Sequence, residues 1–155
     1  EKFSSATQIA QRQLFNQYQV WRKEGKLPAI ADTGFRVFSQ YEEDGKLLFI
    51  LSIIGMQNRN FIEIGSDDGI NSNCANLAFN FGWHGLFIDG DEKSIKRGKK
   101  FYRKYPHPWG HPPIFSQNLV TRENINNIIE KKFHKNFRSI NEETNKKVKE
   151  IIKKK

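Results

Sequence analysis

The segment Glu63-Ile64-Gly65-Ser66-Asp67-Asp68-Gly69 constrains the fold of this chain more than any other. It follows directly on Asn60 to Ile64, where β-branched and aromatic residues dominate, so the pattern is a strand running into a glycine turn. Gly65 lacks a Cβ and permits a sharp exit from the strand, and Gly69 lets a ligand or the next helix come close to the backbone. Ile70 to Phe81 then reads as a helix, with Ala75, Leu77, Ala78 and Phe81 apolar and Gly82 as its stop. A helix so placed would offer free N–H groups and a positive dipole end to a carboxylate or phosphate.

The pattern repeats downstream. Gly85 to Ile88 reads as a second buried strand, Glu92 to Tyr105 as a strongly basic helix, and Pro112 to Ser116 leads into a third strand. Thr121 caps a further helix through Ile129. Three strands separated by two helices predict an α/β fold, a parallel sheet with flanking helices and right-handed crossovers. The second strand ends in Asp89-Gly90-Asp91, and Asp89 stands 20 residues after Gly69. That spacing fits a carboxylate accepting hydrogen bonds from vicinal ribose hydroxyls in a doubly wound nucleotide fold. Asp91 competes for the role, because the strand end could shift by two residues without changing its face.

The loop is not G-x-G-x-x-G, because Asp67 stands at the middle glycine, and no Gly-Lys-Ser/Thr follows to make a P-loop. A pyrophosphate would meet like charges at Asp67 and Asp68, whereas a sulfonium cofactor carrying an ammonium tolerates them. The charges therefore favour S-adenosylmethionine over NAD or ATP. Glu63-x-Gly65-x-x-x-Gly69 resembles the first motif of class I S-adenosylmethionine-dependent methyltransferases, and Gly85 to Asp91 resembles their second strand with its terminal acid. Phe35 to Gly45 looks like the segment that precedes the fold in FkbM-type methyltransferases. The resemblance covers roughly residues 33 to 130. It implies a Rossmann-like fold and a cofactor site. Gly65, Ser66, Asp67 and Gly69 would form the loop, and Glu63 would support the loop or the cofactor amino group. Asp89, or Gly90-Asp91 beside it, would hold the ribose, and Gln117 and Asn118 would meet the adenine edge. It further implies methyl transfer to an oxygen of a sugar or other small molecule, with S-adenosyl-L-methionine as cofactor. The structural alternative for Asp67 and Asp68 is helix N-capping, and for Glu43-Asp44 an ordinary turn.

Upstream, Ser5-Ala6-Thr7-Gln8 fits a capping box that opens a helix with Ala10, Leu14, Tyr18 and Trp21 on one face and Gly25 as its stop. Phe35 to Tyr41 reads as extended, Glu42 to Gly45 as a turn or helix start, and Lys46 to Gly55 as a buried helix facing the core with Leu47, Ile50, Leu51 and Ile54. The chain thus divides into an N-terminal helical extension (1–55), a cofactor-binding region (56–130) and a basic C-terminal helix (131–155), opened by a second capping box at Ser139 to Glu142. The family's fourth strand, which ends in acidic residues near the transferred methyl, is not legible after Ile129. The expectation is a fragment, or segments joined across residues missing between Glu130 and Asn141; a degenerate cofactor binder is the third option. No catalytic residue is assigned.

Composition bounds the alternatives. Hydrophobic content of 37% and charged content of 28% suit a soluble globular protein, and the longest apolar run, Leu47 to Ile54, is broken by Ser52, so no membrane span is expected. No cleavable signal pattern opens the chain, and the single cysteine, Cys74, excludes an internal disulfide, so a cytoplasmic location is the simplest expectation. Residues 1 to 92 carry 8 basic and 12 acidic groups, residues 93 to 155 carry 18 and 5. A solvated helix face explains this best. The alternative is a nucleic-acid-binding module, or an RNA methyltransferase, using Lys93, Lys96, Arg97, Lys99, Lys100, Arg103 and Lys104 with Phe101, Tyr102 and Tyr105 beside them. His107 and His111 sit in a proline-rich loop, where packing around Trp109 is the default and lining of an acceptor pocket the alternative. No zinc pattern supports a metal. Cys74 reads as a small buried residue rather than a nucleophile, and no Gly-x-Ser-x-Gly elbow supports hydrolysis.

Overall fold

The computed structural model describes residues 3–105 and 112–134. Its centre is a three-stranded sheet of β1 (Asn60–Ile64), β2 (His84–Asp89) and β3 (Ile114–Gln117), in that order and all parallel. The strand segments lie where the apolar runs predicted them. Glu63 pairs with Phe87, Ile64 with Ile88 and Asp89 with Gln117, so the three strand ends that carry the candidate residues finish together at the carboxyl end of the sheet. Between the strands run α3 (Ala75–Phe81) and α4 (Glu92–Lys104). These cover one face, where Phe61, Phe87 and Phe115 pack with Ala78, Phe79, Ile95 and Tyr102. The other face carries Leu86 and Ile88 against Ile128 of α5 (Ile125–Ile129). The result is an α/β unit with helices on both faces of a parallel sheet, the general Rossmann-like shape. In α4, Gly98 is required by contact. A Cβ there would lie 2.4 Å from the carbonyl oxygen of Asp68 and 2.5 Å from the ring of Phe115.

The N-terminal segment shares this core rather than forming a separate extension. α1 (Ser5–Glu24) and α2 (Glu43–Ile54) pack on each other, and Phe38 and Leu48 are fully buried in the same aromatic cluster as Phe61 and Phe79. The α1 cap is Ser4, not Ser5: its hydroxyl accepts from the Thr7 N–H. The buried face turns accordingly, and Gln11 and Tyr18 are buried while Ala10 is exposed. Gln11 accepts a hydrogen bond from Asn76, which in turn accepts one from Asn80, a polar chain inside the core that periodicity alone does not reveal.

α2 is turned from the face expected: of Leu47, Ile50, Leu51 and Ile54, only Leu51 packs against the core cluster. Asp44, Leu48, Phe49 and Ser52 point inward, whereas Ile50 is 37% and Ile54 70% exposed. This helix is apolar nearly all round, so its pattern cannot choose a side. The choice is made by Asp44, whose carboxylate finds backbone N–H partners in the segment from Val37 to Ser39; Ser52 tolerates burial because its hydroxyl donates to the Phe49 carbonyl of the same helix. The outward isoleucines adjoin a wider apolar surface. β1 is an edge of the described sheet, and its Ile62 and Ile64 are 36% and 53% exposed. No fourth strand occurs among the described residues. None of their helices is long and apolar enough to cross a membrane.

Two helix starts differ from expectation. α3 begins at Ala75, not Ile70, and α5 at Ile125, not near Thr121. At α3, Glu63 takes the N–H groups of Asn73 and Cys74. At α5, residues 122–124 form a turn, with Asn124 accepting from the Thr121 N–H as in a capping box and the Ile125 N–H donating to the Thr121 carbonyl. The proline loop with His107, Trp109 and His111, and the capping box and helix expected from Ser139 onward, lie outside the described residues.

Candidate functional site

The loop after β1 is a chain of tight turns. Gly65 and Gly69 have φ of 71° and 67°, and Asp67 between them has φ of 49°. Aspartate is among the few non-glycine residues that enter the left-handed region at modest cost. Asp67 therefore continues the left-handed turn, but its side chain occupies the place where the middle glycine of a dinucleotide fingerprint would let a pyrophosphate approach. The Gly65 and Ser66 N–H groups both donate to the carbonyl of Ile88, which ties the loop to the end of β2. Underneath, the buried Tyr102 hydroxyl donates to the Gly69 carbonyl at 2.7 Å, and burial raises its pKa above the ordinary phenol value.

Asp89 is the hinge between the loop and the second strand. One carboxylate oxygen accepts from the Asp67 N–H at 2.9 Å and the other from the Asp91 N–H at 2.8 Å. It stays half-buried at the strand end, and each oxygen keeps a lone pair for a further donor. Asp91 is differently employed. It caps α4, taking both the N–H and the hydroxyl of Ser94, and these bonds hold its carboxyl below the usual range. Gln117 donates to the Gly90 carbonyl, and the Asn118 N–H donates to the Asp89 carbonyl. Asp89, Gly90, Gln117 and Asn118 thus form one lip. Beside it stands Leu119, 79% exposed and within 3.8 Å of where a Gly90 Cβ would be. Leu119 closes the segment Ser116-Gln117-Asn118-Leu119, which the family resemblance marks after the third strand without giving Leu119 a role of its own.

The helix dipole expected to meet a ligand is already occupied. Glu63 spends both carboxylate oxygens on the N–H groups of Asn73 and Cys74, at 3.0 and 2.9 Å. The Ile70 N–H goes to Asp68 and the Gly69 N–H to the Ser66 carbonyl. The loop therefore leaves no cluster of free amides of the kind that cradles phosphate. The charge of the loop is also lower than its sequence suggests, because Arg97 of α4 reaches both Asp67 (3.1 Å) and Asp68 (3.4 Å). Asp68 does not cap a helix: its side chain closes a local turn by accepting from the Ile70 N–H, five residues before α3 begins. Asp67 points at Arg97 instead.

On the other side of the loop opens a cleft of about 520 Å³, lined by Glu63, Gly65, Ser66 and Asp67 and by Asn71, Ser72 and Asn73. Its outer wall is the upstream segment, contributing Arg36, Gln40, Tyr41 and Glu43. This segment is not extended. It wraps around the buried Asp44, one of whose carboxylate oxygens accepts from the N–H groups of Val37, Phe38 and Ser39 at 2.7, 2.7 and 2.9 Å. Asp44 is more than an ordinary turn residue: it is the post on which the cleft wall is hung.

The remaining candidates separate cleanly. All seven cations of α4 are exposed, while Tyr102 is buried and Phe101 and Tyr105 pack toward the core. The helix offers charge without the stacking surface that single-stranded nucleic acid needs. Cys74 is half-buried beside Glu63; burial and that carboxylate push its thiol pKa far up, the opposite of an activated nucleophile. No group of metal-ligating side chains occurs among the described residues. Family models, curated proteins and solved structures offer no match to this chain.

Proposed function

We propose that the chain binds the adenosyl cofactor S-adenosyl-L-methionine and belongs to a methyltransferase of the FkbM-like class I type. The observation that carries this is Asp89. A carboxylate at the end of β2, tied through one hydrogen bond to the glycine loop of β1, stands where ribose hydroxyls are read in a doubly wound sheet. Gln117 and Asn118 on the same lip supply amide groups for an adenine edge, and Leu119 supplies an apolar surface for its face.

The occupied amides argue against a pyrophosphate ligand. With Glu63, Asp68 and Asp89 consuming the loop N–H groups, a dinucleotide would find carboxylates where it needs donors. An adenosyl group joined to an amino acid replaces the pyrophosphate by a single carboxylate, and its ammonium and sulfonium suit acidic neighbours. Such a ligand would cross the loop at Gly65 to Asp67, with ribose at Asp89 and the amino acid end in the 520 Å³ cleft. Transfer to an oxygen of a small acceptor would then rest on alignment of donor and acceptor.

Isothermal titration with S-adenosylhomocysteine tests this. We expect saturable one-site binding to the full chain in the micromolar range, roughly 8 kcal/mol, and at least tenfold weaker binding of NAD. Absence of binding by folded protein, or preference for NAD, would overturn the proposal.

A further inference from the structure

We infer that Arg36 anchors the carboxylate of an α-amino acid group in the cleft beside the glycine loop; this rests on the adenosyl reading and adds the recognition of the ligand's far end. The cleft holds three carboxylates, and each is already engaged. Glu43 accepts from the Tyr41 N–H at 2.9 Å, Glu63 from the N–H groups of Asn73 and Cys74, and Asp67 from Arg97 at 3.1 Å. Arg36 lines the same cleft and is exposed, with no hydrogen bond or ion pair to any described residue. Elsewhere in the fold a carboxylate ligand would be met by backbone amides of the glycine loop. Here the amides of Gly65, Ser66, Asp67, Gly69 and Ile70 are taken, and Arg36 is the one cation among the residues that line the cleft.

Arg36 suits that task in chemistry and in placement. A guanidinium presents its N–H groups as a planar fork that matches a carboxylate with two parallel hydrogen bonds. The backbone immediately after it is fixed, because Asp44 grips the N–H groups of Val37, Phe38 and Ser39. The guanidinium therefore extends from a rigid wall, and only its own rotamers need ordering when a ligand arrives. Glu63 and Asp67, across the cleft, keep lone pairs that can accept from an ammonium. One cation facing two partly committed carboxylates complements a zwitterion, which is the charge pattern of a free amino acid end.

The experiment compares two ligands against the wild-type chain and Arg36→Gln. S-adenosylhomocysteine carries the amino acid end, whereas 5′-methylthioadenosine keeps the adenosyl group and lacks it. We expect Arg36→Gln to weaken S-adenosylhomocysteine binding roughly tenfold and to leave 5′-methylthioadenosine binding within twofold of wild type. Arg36→Lys should recover part of the loss. Because Arg36 is exposed and unpaired, the melting temperature of Arg36→Gln should match wild type. If both ligands bind the variant as they bind wild type, the anchor is refuted and the adenosyl reading stands. If wild type binds 5′-methylthioadenosine as tightly as S-adenosylhomocysteine, the amino acid end is not recognised, and the anchor is again refuted. If wild type binds neither, both readings fall together.

Discussion

Replacing Asp44 by Ala should remove roughly 3–4 kcal/mol of stability, a large share of the 5–15 kcal/mol typical of a single domain. The side chain is 2% exposed, and one of its oxygens accepts three backbone N–H groups at 2.7, 2.7 and 2.9 Å. Each is a charge-assisted bond, and each donor left buried without a partner costs about 1–3 kcal/mol, less whatever water recovers. Alanine supplies no acceptor, so the segment from Val37 to Ser39 must either open to water or keep orphaned amides. Phe38 belongs to the same segment and is fully buried against Phe79, so opening it would also unpack the aromatic core. Asp44→Asn keeps one carbonyl oxygen for the three donors and should lose about half as much. Urea unfolding followed by far-ultraviolet circular dichroism checks both values. A shift below about 1 kcal/mol for Asp44→Ala would mean that the three-donor cradle is not a stabilising centre.

Asp89→Asn should weaken S-adenosylhomocysteine binding about 100-fold, close to 2.7 kcal/mol. The estimate follows from two hydroxyls bound by one carboxylate, since hydrogen bonds to charged groups contribute about 1.5–3 kcal/mol each and one acceptor oxygen survives in asparagine. The substitution also touches the protein, because Asp89 accepts from the Asp67 and Asp91 N–H groups. A ligand lacking the ribose 2′-hydroxyl separates the two effects. It should bind wild type at least tenfold more weakly than the parent ligand, yet bind Asp89→Asn about as weakly as the parent does. Equal losses for wild type and variant on removing the hydroxyl would show that Asp89 does not touch the ribose.

The sheet and the loop were legible because their signals are local. A strand of apolar residues ending in glycine, repeated once with a terminal acid, leaves little choice of architecture, and β1 spans the same residues that the pattern predicted. What could not be read depends on tertiary partners. The shortening of α3 follows from Glu63 reaching 10 and 11 residues forward to Asn73 and Cys74, a pairing invisible to periodicity. The inward face of α2 was hidden because Asp44 looks like a solvent-facing residue until its backbone partners at Val37, Phe38 and Ser39 are known. Asp67 and Asp68 were read as a negative loop, and Arg97, some 30 residues later, offsets them. In the candidate site the glycines and Asp89 could be named from spacing, and the segment from Ser116 to Leu119 only from the family resemblance. A role for Arg36 could not, because only the folded chain brings it to the cleft.

The central claim is that the β1 loop and the β2 end meet at a single adenosyl group. Titrating isotope-labelled protein with S-adenosylhomocysteine and following backbone amide resonances tests it most directly. We expect saturable shifts at Gly65, Ser66, Asp67, Asp89 and Gly90, and at Gln117 to Leu119, all fitting one dissociation constant. Shifts that spare Asp89 and its neighbours, or that map instead to the exposed face of α4, would contradict the claim.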